Sequence, residues 1–457
     1  MPVKRATNIV HRLRPRRRRS SSNLWTRDFS LMTGSTVLSA IGGEALNLPI
    51  SLLVFDQTGS TLDTAWVVIL SVLPDLFLPL LLAPILDRQR KKRWLVTLDI
   101  LQSLAYLIMA LSAAFWPFSL TRYYIFTLTV ASLSSVYQVA YQAWYPDLIA
   151  PGCEQQAFSV AGLIYPSVVI IMAPLGTWLY QAVPISWIFA FTAALGWIDV
   201  LLEAQIKTDL KPKQTQTEAA DPVSGLPRYR QLLVIWRRQL RQSRSDFKQA
   251  FAYLKREGGL THIYLYMSIT NGASKAIAIL TQAFFQSRPY LGSVRLGWLK
   301  SAETTGRLLG GWRRYQRPVP RGRRYRFSKW VYTVYDCFDT GLLLLPFPLM
   351  LLNRFICGYL GISSATIREA AVQTYLRPDM RAKVNALLNS LLSAGGVLFY
   401  YLGGFLGQYL AYHWLVMLLG LLTLSANFAL IWRQARLNRP VYEWEAAVDQ
   451  TLRSEHS

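Results

Sequence analysis

Charge is scarce in this sequence. Only 16% of its 457 residues are charged, against about a quarter in soluble globular proteins. Acidic residues are the scarcer kind, 25 against 49 basic ones, which leaves a formal charge of +24. Cysteine and histidine are almost missing. Cys153, Cys337 and Cys357 show no paired spacing, and His11, His262, His413 and His456 are scattered. This speaks against a disulfide framework, a structural zinc or a Cys/His nucleophile, so no metal and no cofactor is expected. No Gly-x-x-x-x-Gly-Lys-Ser/Thr run occurs, so the phosphate cradle for direct ATP use is missing. No catalytic constellation emerges, and an enzyme ranks last among the functions.

What is present is apolar length. Hydrophobic residues make up 52% of the chain. Twelve apolar segments fall near 29–55, 64–86, 94–116, 120–145, 157–182, 185–206, 260–285, 290–312, 328–351, 353–376, 384–406 and 411–432. Each meets or approaches the roughly 20 residues that cross the hydrocarbon of a bilayer. The first follows Arg16–Arg19 and imitates a targeting signal. It is too long for a signal core and no small-x-small site closes it, so it reads as an uncleaved membrane helix.

The basic residues sort by side. With both termini inside, the N-terminal tail, 87–93, 207–257, 313–329, 377–383 and the C-terminal tail carry nine, five, twelve, eight, three and four Lys or Arg. Arg122, Arg288 and Arg295 are the only ones in the outer loops. This is the positive-inside asymmetry of a multi-pass membrane protein, so the +24 charge is topological and no nucleic-acid partner is expected. The fold class is an all-α membrane protein of twelve transmembrane helices, with both termini cytoplasmic and the bilayer as its surroundings.

The longest polar stretch divides those helices six and six. The expected organisation is a basic tail over 1–28, a six-helix bundle over 29–206, a linker over 207–259, a second bundle over 260–433 and a tail over 434–457. The linker opens with Lys211-Pro-Lys-Gln-Thr-Gln-Thr-Glu, a flexible composition. Over Arg228–Gly258 it carries apolar residues at helical spacing among arginines, which reads as amphipathic helix on the cytoplasmic membrane surface. The halves echo each other, with Gln142-Ala-Trp-Tyr-Pro-Asp147-Leu after the fourth segment and Gln373-Thr-Tyr-Leu-Arg-Pro-Asp379-Met after the tenth. Two pseudo-symmetric halves joined by a long middle loop form a transporter pattern.

Leu82–Arg93 reads Leu-Ala-Pro-Ile-Leu-Asp-Arg-Gln-Arg-Lys-Lys-Arg between two apolar segments. It resembles the signature loop of the major facilitator superfamily, Gly-x-x-x-Asp-Arg-x-x-Arg-Arg/Lys, with Ala83 at the leading glycine. Leu52–Ser60, Gln142–Ile149, Ser245–Glu257 and Arg377–Ser390 are similar, in order, to motifs of its macrolide-efflux and siderophore-exporter-like branch. The chain departs from the family in two places. Ala173-Pro174-Leu175-Gly176 stands where the antiporter signature has a glycine-rich run, and the fourth segment lacks its usual arginine.

The resemblance implies a secondary active transporter of a small organic, drug-like molecule, exporting it by alternating access with a proton or cation as coupling ion. It implies a gate in which Asp87 and Arg88 meet the start of the eleventh segment near Arg381. A monomer in the cell membrane, the inner membrane of a bacterium, is expected. The alternative is a membrane sensor or scaffold that kept the fold and lost transport.

Ionisable groups inside spans cost at least about 2.5 kcal/mol on insertion scales, so they default to functional or paired. Glu44 and Asp75 find no basic partner in the N-terminal half and are the candidate coupling carboxyls. In the C-terminal half Lys275, Lys300, Glu303, Arg307, Asp336, Asp339, Arg368 and Glu369 read as a mutually neutralising network. Lys275 or Arg307 is the candidate contact for an anionic substrate group. Asn271 and Tyr137 complete the candidate cavity wall.

Overall fold

A computed structural model describes residues 24–86, 91–150, 153–207, 241, 244–288 and 290–443. Among these residues the regular structure is helical throughout. The helices are α1 (Arg27–Thr58), α2 (Thr61–Leu86), α3 (Lys91–Phe115), α4 (Leu120–Trp144), α5 (Glu154–Ala182), α6 (Ile185–Ala204), α7 (residues 244–256), α8 (Gly258–Gln286), α9 (Gly292–Gln316), α10 (Arg324–Gly341), α11 (Phe347–Tyr375), α12 (Pro378–Leu406), α13 (Tyr412–Ala426) and α14 (Ala435–Glu443). Seven of them, α1, α2, α3, α5, α6, α12 and α13, are long and apolar enough to cross a membrane. In hydrocarbon a helix satisfies every backbone group within itself, which is why such a sequence takes this form.

Local signals set the ends. The Thr26 hydroxyl accepts the Phe29 N–H at 3.2 Å and starts α1. Gly59, at φ 64°, stops it, with its N–H on the Phe55 carbonyl. The break expected between 351 and 353 falls earlier. α10 ends at Gly341, a 3₁₀ turn runs over Leu342–Leu344, and α11 begins at Phe347. Pro346 is the reason, since it pushes Leu345 out of helical backbone and has no N–H to donate. α13 runs on as a π-helical stretch, Asn427–Trp432.

Two departures involve the expected connecting segments. The stretch read as an amphipathic connector is helical over 244–256, and Ala250 and Leu254 are buried against the C-terminal half. The stretch read as a tail contributes α14, whose Val441 and Tyr442 are buried in the same cluster. Gly259 permits this docking, because a Cβ there would collide with the Leu437 carbonyl.

α1–α6 pack on one another, with α3 against α4 and α6, α2 against α4, and α1 against α5 and α6. α8–α14 form a second group, with α9 on α11, α8 on α12 and α13, and α10 on α13. The groups meet where α5 lies on α9 and α2 on α12. We call the end where α1 begins and α6 finishes proximal, and the opposite end distal.

The distal end joins the halves. One apolar cluster combines Leu52 with Ile277, Leu280, Phe284 and Leu415, and another combines Ala65 and Ile69 with Ile279 and Tyr400. Among the described residues the proximal clusters are separate. One, around Phe29, Leu95 and Trp144, is drawn from the N-terminal half, and one, around Leu260, Tyr325 and Leu376, from the C-terminal half.

The basic loop does structural work at the proximal end. The Lys91 ammonium donates to the Ala143 carbonyl at 2.5 Å and to Asp147 Oδ2 at 3.1 Å. Lys92 donates to the Ala204 and Ile206 carbonyls at 2.8 and 2.6 Å. Both satisfy carbonyls left open where α4 and α6 end, where the helix dipole also favours a cation.

Candidate functional site

The hydrogen bonds that join the halves run from the distal end to the middle of the helices. Ser51 donates to Gln282 Oε1 at 3.1 Å, and Gln286 Nε2 donates to the Leu52 carbonyl and to Asp56 Oδ1, both at 2.8 Å. Gln181 Nε2 donates to Ser293 Oγ at 2.8 Å, and Thr61 donates to the Gly404 carbonyl at 2.6 Å. Deeper along the same seam Ser301 donates to the Ile170 carbonyl at 2.7 Å.

At this depth α1 sends Glu44 across to α9. Gly176 of α5 lies against the backbone of Glu44 and Ala45, so α1 and α5 approach closely just there. The Lys300 ammonium reaches Glu44 Oε2 at 3.0 Å, and Asn47 Nδ2 donates to Oε1 at 3.2 Å. The carboxylate is 7% exposed and its lysine 34%. Glu44 is therefore not the unpaired carboxyl expected from the sequence. No described cation of its own half reaches it, but one from the other half does.

Two turns further along α9, Arg307 donates to Glu303 Oε1 at 2.6 Å. Arg307 is 57% exposed. On α8, Asn271 and Lys275 are exposed as well. The Lys275 ammonium stands 5.8 Å from the Tyr400 ring centroid, and Lys275 and Arg307 are near enough to repel each other. The facing surfaces of α1, α8, α9 and α12 thus gather Lys275, Lys300 and Arg307 against Glu44 and Glu303. Exposed cations, one of them beside an aromatic ring, suit an anionic or polar group on a partly apolar ligand.

The other expected site residues stand elsewhere. Asp75 is exposed on α2. Tyr137 is not a cavity-wall residue. It is 8% exposed inside the N-terminal half and donates to Glu203 Oε1 at 2.7 Å. Arg381 donates to the Leu376 carbonyl at 3.1 Å across the α11–α12 turn. Asp87 and Arg88 lie outside the described residues.

The expected C-terminal network resolves into smaller units. Asp339 is paired by Arg354, a buried arginine that also donates to Asn353 Oδ1 at 3.2 and 3.0 Å. Asp336 accepts from Tyr266 at 3.0 Å and from Asn427 at 3.2 Å. The sequence reading passed over Asp99, Asp199 and Glu203, buried carboxyls of α3 and α6 that converge in the N-terminal half. Their signal was present, since Asp199 and Glu203 sit four residues apart in an apolar segment without an intervening base.

A family model described as Major Facilitator Superfamily matches residues 32–325. This chain belongs to the major facilitator superfamily. The fold agrees. The solved structure of the nucleoside transporter NupG is similar to it at a TM-score of 0.61 and 14% identity, over 89% of this chain and 98% of that one. A solved point mutant of the same transporter is similar at 0.60 and 13%, over 88% and 98%. Among curated proteins no relative matches. The family and the apolar helices make this a multi-pass membrane transporter fold of the superfamily.

Proposed function

We propose that this superfamily member is a secondary active transporter that moves a small organic molecule through the space between its halves by alternating access. The observation that carries the reading is the asymmetry of the seam. Among the described residues the halves share apolar clusters at the distal end only, and polar contacts reach down to the Glu44–Lys300 pair. A closed distal seam above separately packed proximal halves is what one of two alternating states requires. In this reading the helices make twelve spans, the proximal end with both termini is cytoplasmic, and the observed state faces inward.

The substrate is argued from the seam itself, because likeness at 13–14% identity carries the fold alone. Lys275 and Arg307, helped by Asn271, meet an anionic or strongly polar group, and the Tyr400 ring packs beside it. Glu44 is the coupling carboxyl. A proton on it removes the charge that holds Lys300, which loosens the distal seam. Proton-driven export follows if that loosening opens the distal side to release cargo. Asp87 and Arg88, with Arg381, form the gate that closes the cytoplasmic side in the opposite state.

Proteoliposomes with an imposed pH gradient test this. Gradient-driven flux of an anionic or zwitterionic amphiphile is expected, with Glu44→Gln uncoupling flux from the gradient and Lys275→Met raising KM. If no compound in a broad panel moves and Glu44→Gln changes nothing, the reading falls and a sensor or scaffold takes its place.

A further inference from the structure

The N-terminal half contains a second constellation that the seam does not use. Asp99 of α3 and Asp199 and Glu203 of α6 each offer an oxygen, and these oxygens lie within 4.8 Å of one another. The three residues are 6%, 1% and 0% exposed. Packing forces them together. Gly196 lies one turn before Asp199 and brings α6 onto α3 at Ser103, one turn beyond Asp99, with no room for a Cβ between them. The next turn therefore presents carboxyl to carboxyl. Hydroxyls surround the group. Ser35 donates to Glu203 Oε1 at 3.1 Å, Ser39 donates to Asp199 Oδ2, and Tyr137 donates to Glu203 Oε1 at 2.7 Å.

These hydroxyls do not complete the site. Asp99 Oδ2, Asp199 Oδ1 and Glu203 Oε2 are each buried without a hydrogen-bond partner. None of the three carboxyls is ion-paired with a described Lys or Arg. An orphaned oxygen on each of three clustered buried carboxyls is a costly arrangement in a membrane interior unless a cation or shared protons neutralise them.

We propose that Asp99, Asp199 and Glu203 bind a hard cation of calcium size inside the N-terminal half. Calcium takes six to eight oxygen ligands at about 2.3–2.6 Å, so oxygens across its sphere stand up to roughly 5 Å apart. Oxygens within 4.8 Å of one another fit inside that sphere. Magnesium, at about 2.1 Å, demands a near-ideal octahedron and keeps several waters, so a site built largely of protein oxygens suits it less. Sodium matches in size but leaves more of the carboxylate charge uncompensated. Ser35, Ser39 and Tyr137 supply further oxygens from α1 and α4, so a bound ion ties four helices of one half together. The inference rests on this geometry alone, and its failure leaves the transport reading untouched.

Purified full-length protein in detergent, stripped with a chelator, is titrated with Tb³⁺ as a calcium-sized luminescent probe. It is then back-titrated with Ca²⁺, Mg²⁺ or Na⁺, and ⁴⁵Ca²⁺ binding is counted directly. The expected result is one Ca²⁺ per chain, Tb³⁺ emission sensitised through Tyr137 and quenched by Ca²⁺, and an affinity loss of roughly tenfold or more in Asp99→Asn and Glu203→Gln. Asp246→Asn, on α7 against the C-terminal half, should bind as the parent does. Should the carboxyl variants misfold, Tyr137→Phe tests the same point, since losing its oxygen and the sensitising phenol together should lower both the emission and the ⁴⁵Ca²⁺ affinity, and an unchanged affinity counts against the site. The proposal is overturned if the parent binds no ⁴⁵Ca²⁺, if Na⁺ or Mg²⁺ displaces Tb³⁺ as well as Ca²⁺ does, or if pH alone and no cation changes its thermal stability. In that last case the carboxyls share protons instead.

Discussion

Single charged residues in this chain differ by what happens when their partner is removed. Arg354 and Asp339 are both buried, and Asn353 takes up two of the remaining guanidinium donors. Removing one member of such a pair strands the other in a low-dielectric interior, which costs roughly 3–5 kcal/mol. Arg354→Met should therefore lower the thermal midpoint markedly, and the double variant Arg354→Met/Asp339→Leu should recover at least half of the loss in the same unfolding scan. Lys300 is a different case because it is a third exposed. Lys300→Met leaves Glu44 without its cross-half partner but reachable by water, so folding should survive. The distal seam should loosen instead, read as faster labelling of a cysteine placed at Ser51. Equal labelling rates would show that the pair does not hold the halves.

At the scale of helices, close approach is the organising device. Gly306 and Gly310 are four residues apart on α9, and each faces α11 backbone, the Phe355 and Tyr359 carbonyls respectively. Gly358 of α11 returns the contact against the Glu303 carbonyl. Small residues at this spacing let two helices pack backbone to backbone, the main source of helix association where lipid is as apolar as the side chains. Gly306→Val should split α9 from α11 and lower both the yield of monodisperse protein and its thermal midpoint. Gly395 meets nothing within 4 Å, so a methyl there is unopposed. Gly395→Ala should be neutral or stabilising by about 0.5–1 kcal/mol, since alanine is the better helix former. The pair of variants separates packing from propensity in one size-exclusion and melting experiment.

The helical segments, the connector over 244–256 among them, were legible because each is a local property. A run of apolar residues or a cluster of lysines acts on the chain wherever it lies. The exception, the α10–α11 boundary, was also local, and Pro346 between apolar runs was the sign overlooked.

For the whole molecule the decisive feature is the one-sided seam. Gln181 and Ser293 touch at 2.8 Å across it. With Cys153, Cys337 and Cys357 replaced, a Gln181→Cys/Ser293→Cys pair should cross-link readily, hold the distal side shut and abolish transport, with reductant restoring it. Cross-linking that leaves flux intact would mean that the seam never opens. Asp87→Ala bears on the other side: if Asp87 is the proposed gate carboxylate, the variant should raise labelling of proximal cysteines, and unchanged labelling would remove the gate.

Hydropathy and charge determined, from the sequence alone, that this chain is helical and lies in a membrane, and which positions carry intramembrane charge. Both quantities sum over neighbouring residues, so no partner is needed to read them. The tertiary structure alone decided which charges meet. Glu44 and Lys300 are 256 positions apart, and Asp99 reaches Asp199 and Glu203 only because α3 packs on α6 at Gly196. Such meetings depend on how each helix is rotated about its axis and on where small residues let two backbones touch. In a helix that is apolar nearly all round, the local pattern does not specify that rotation.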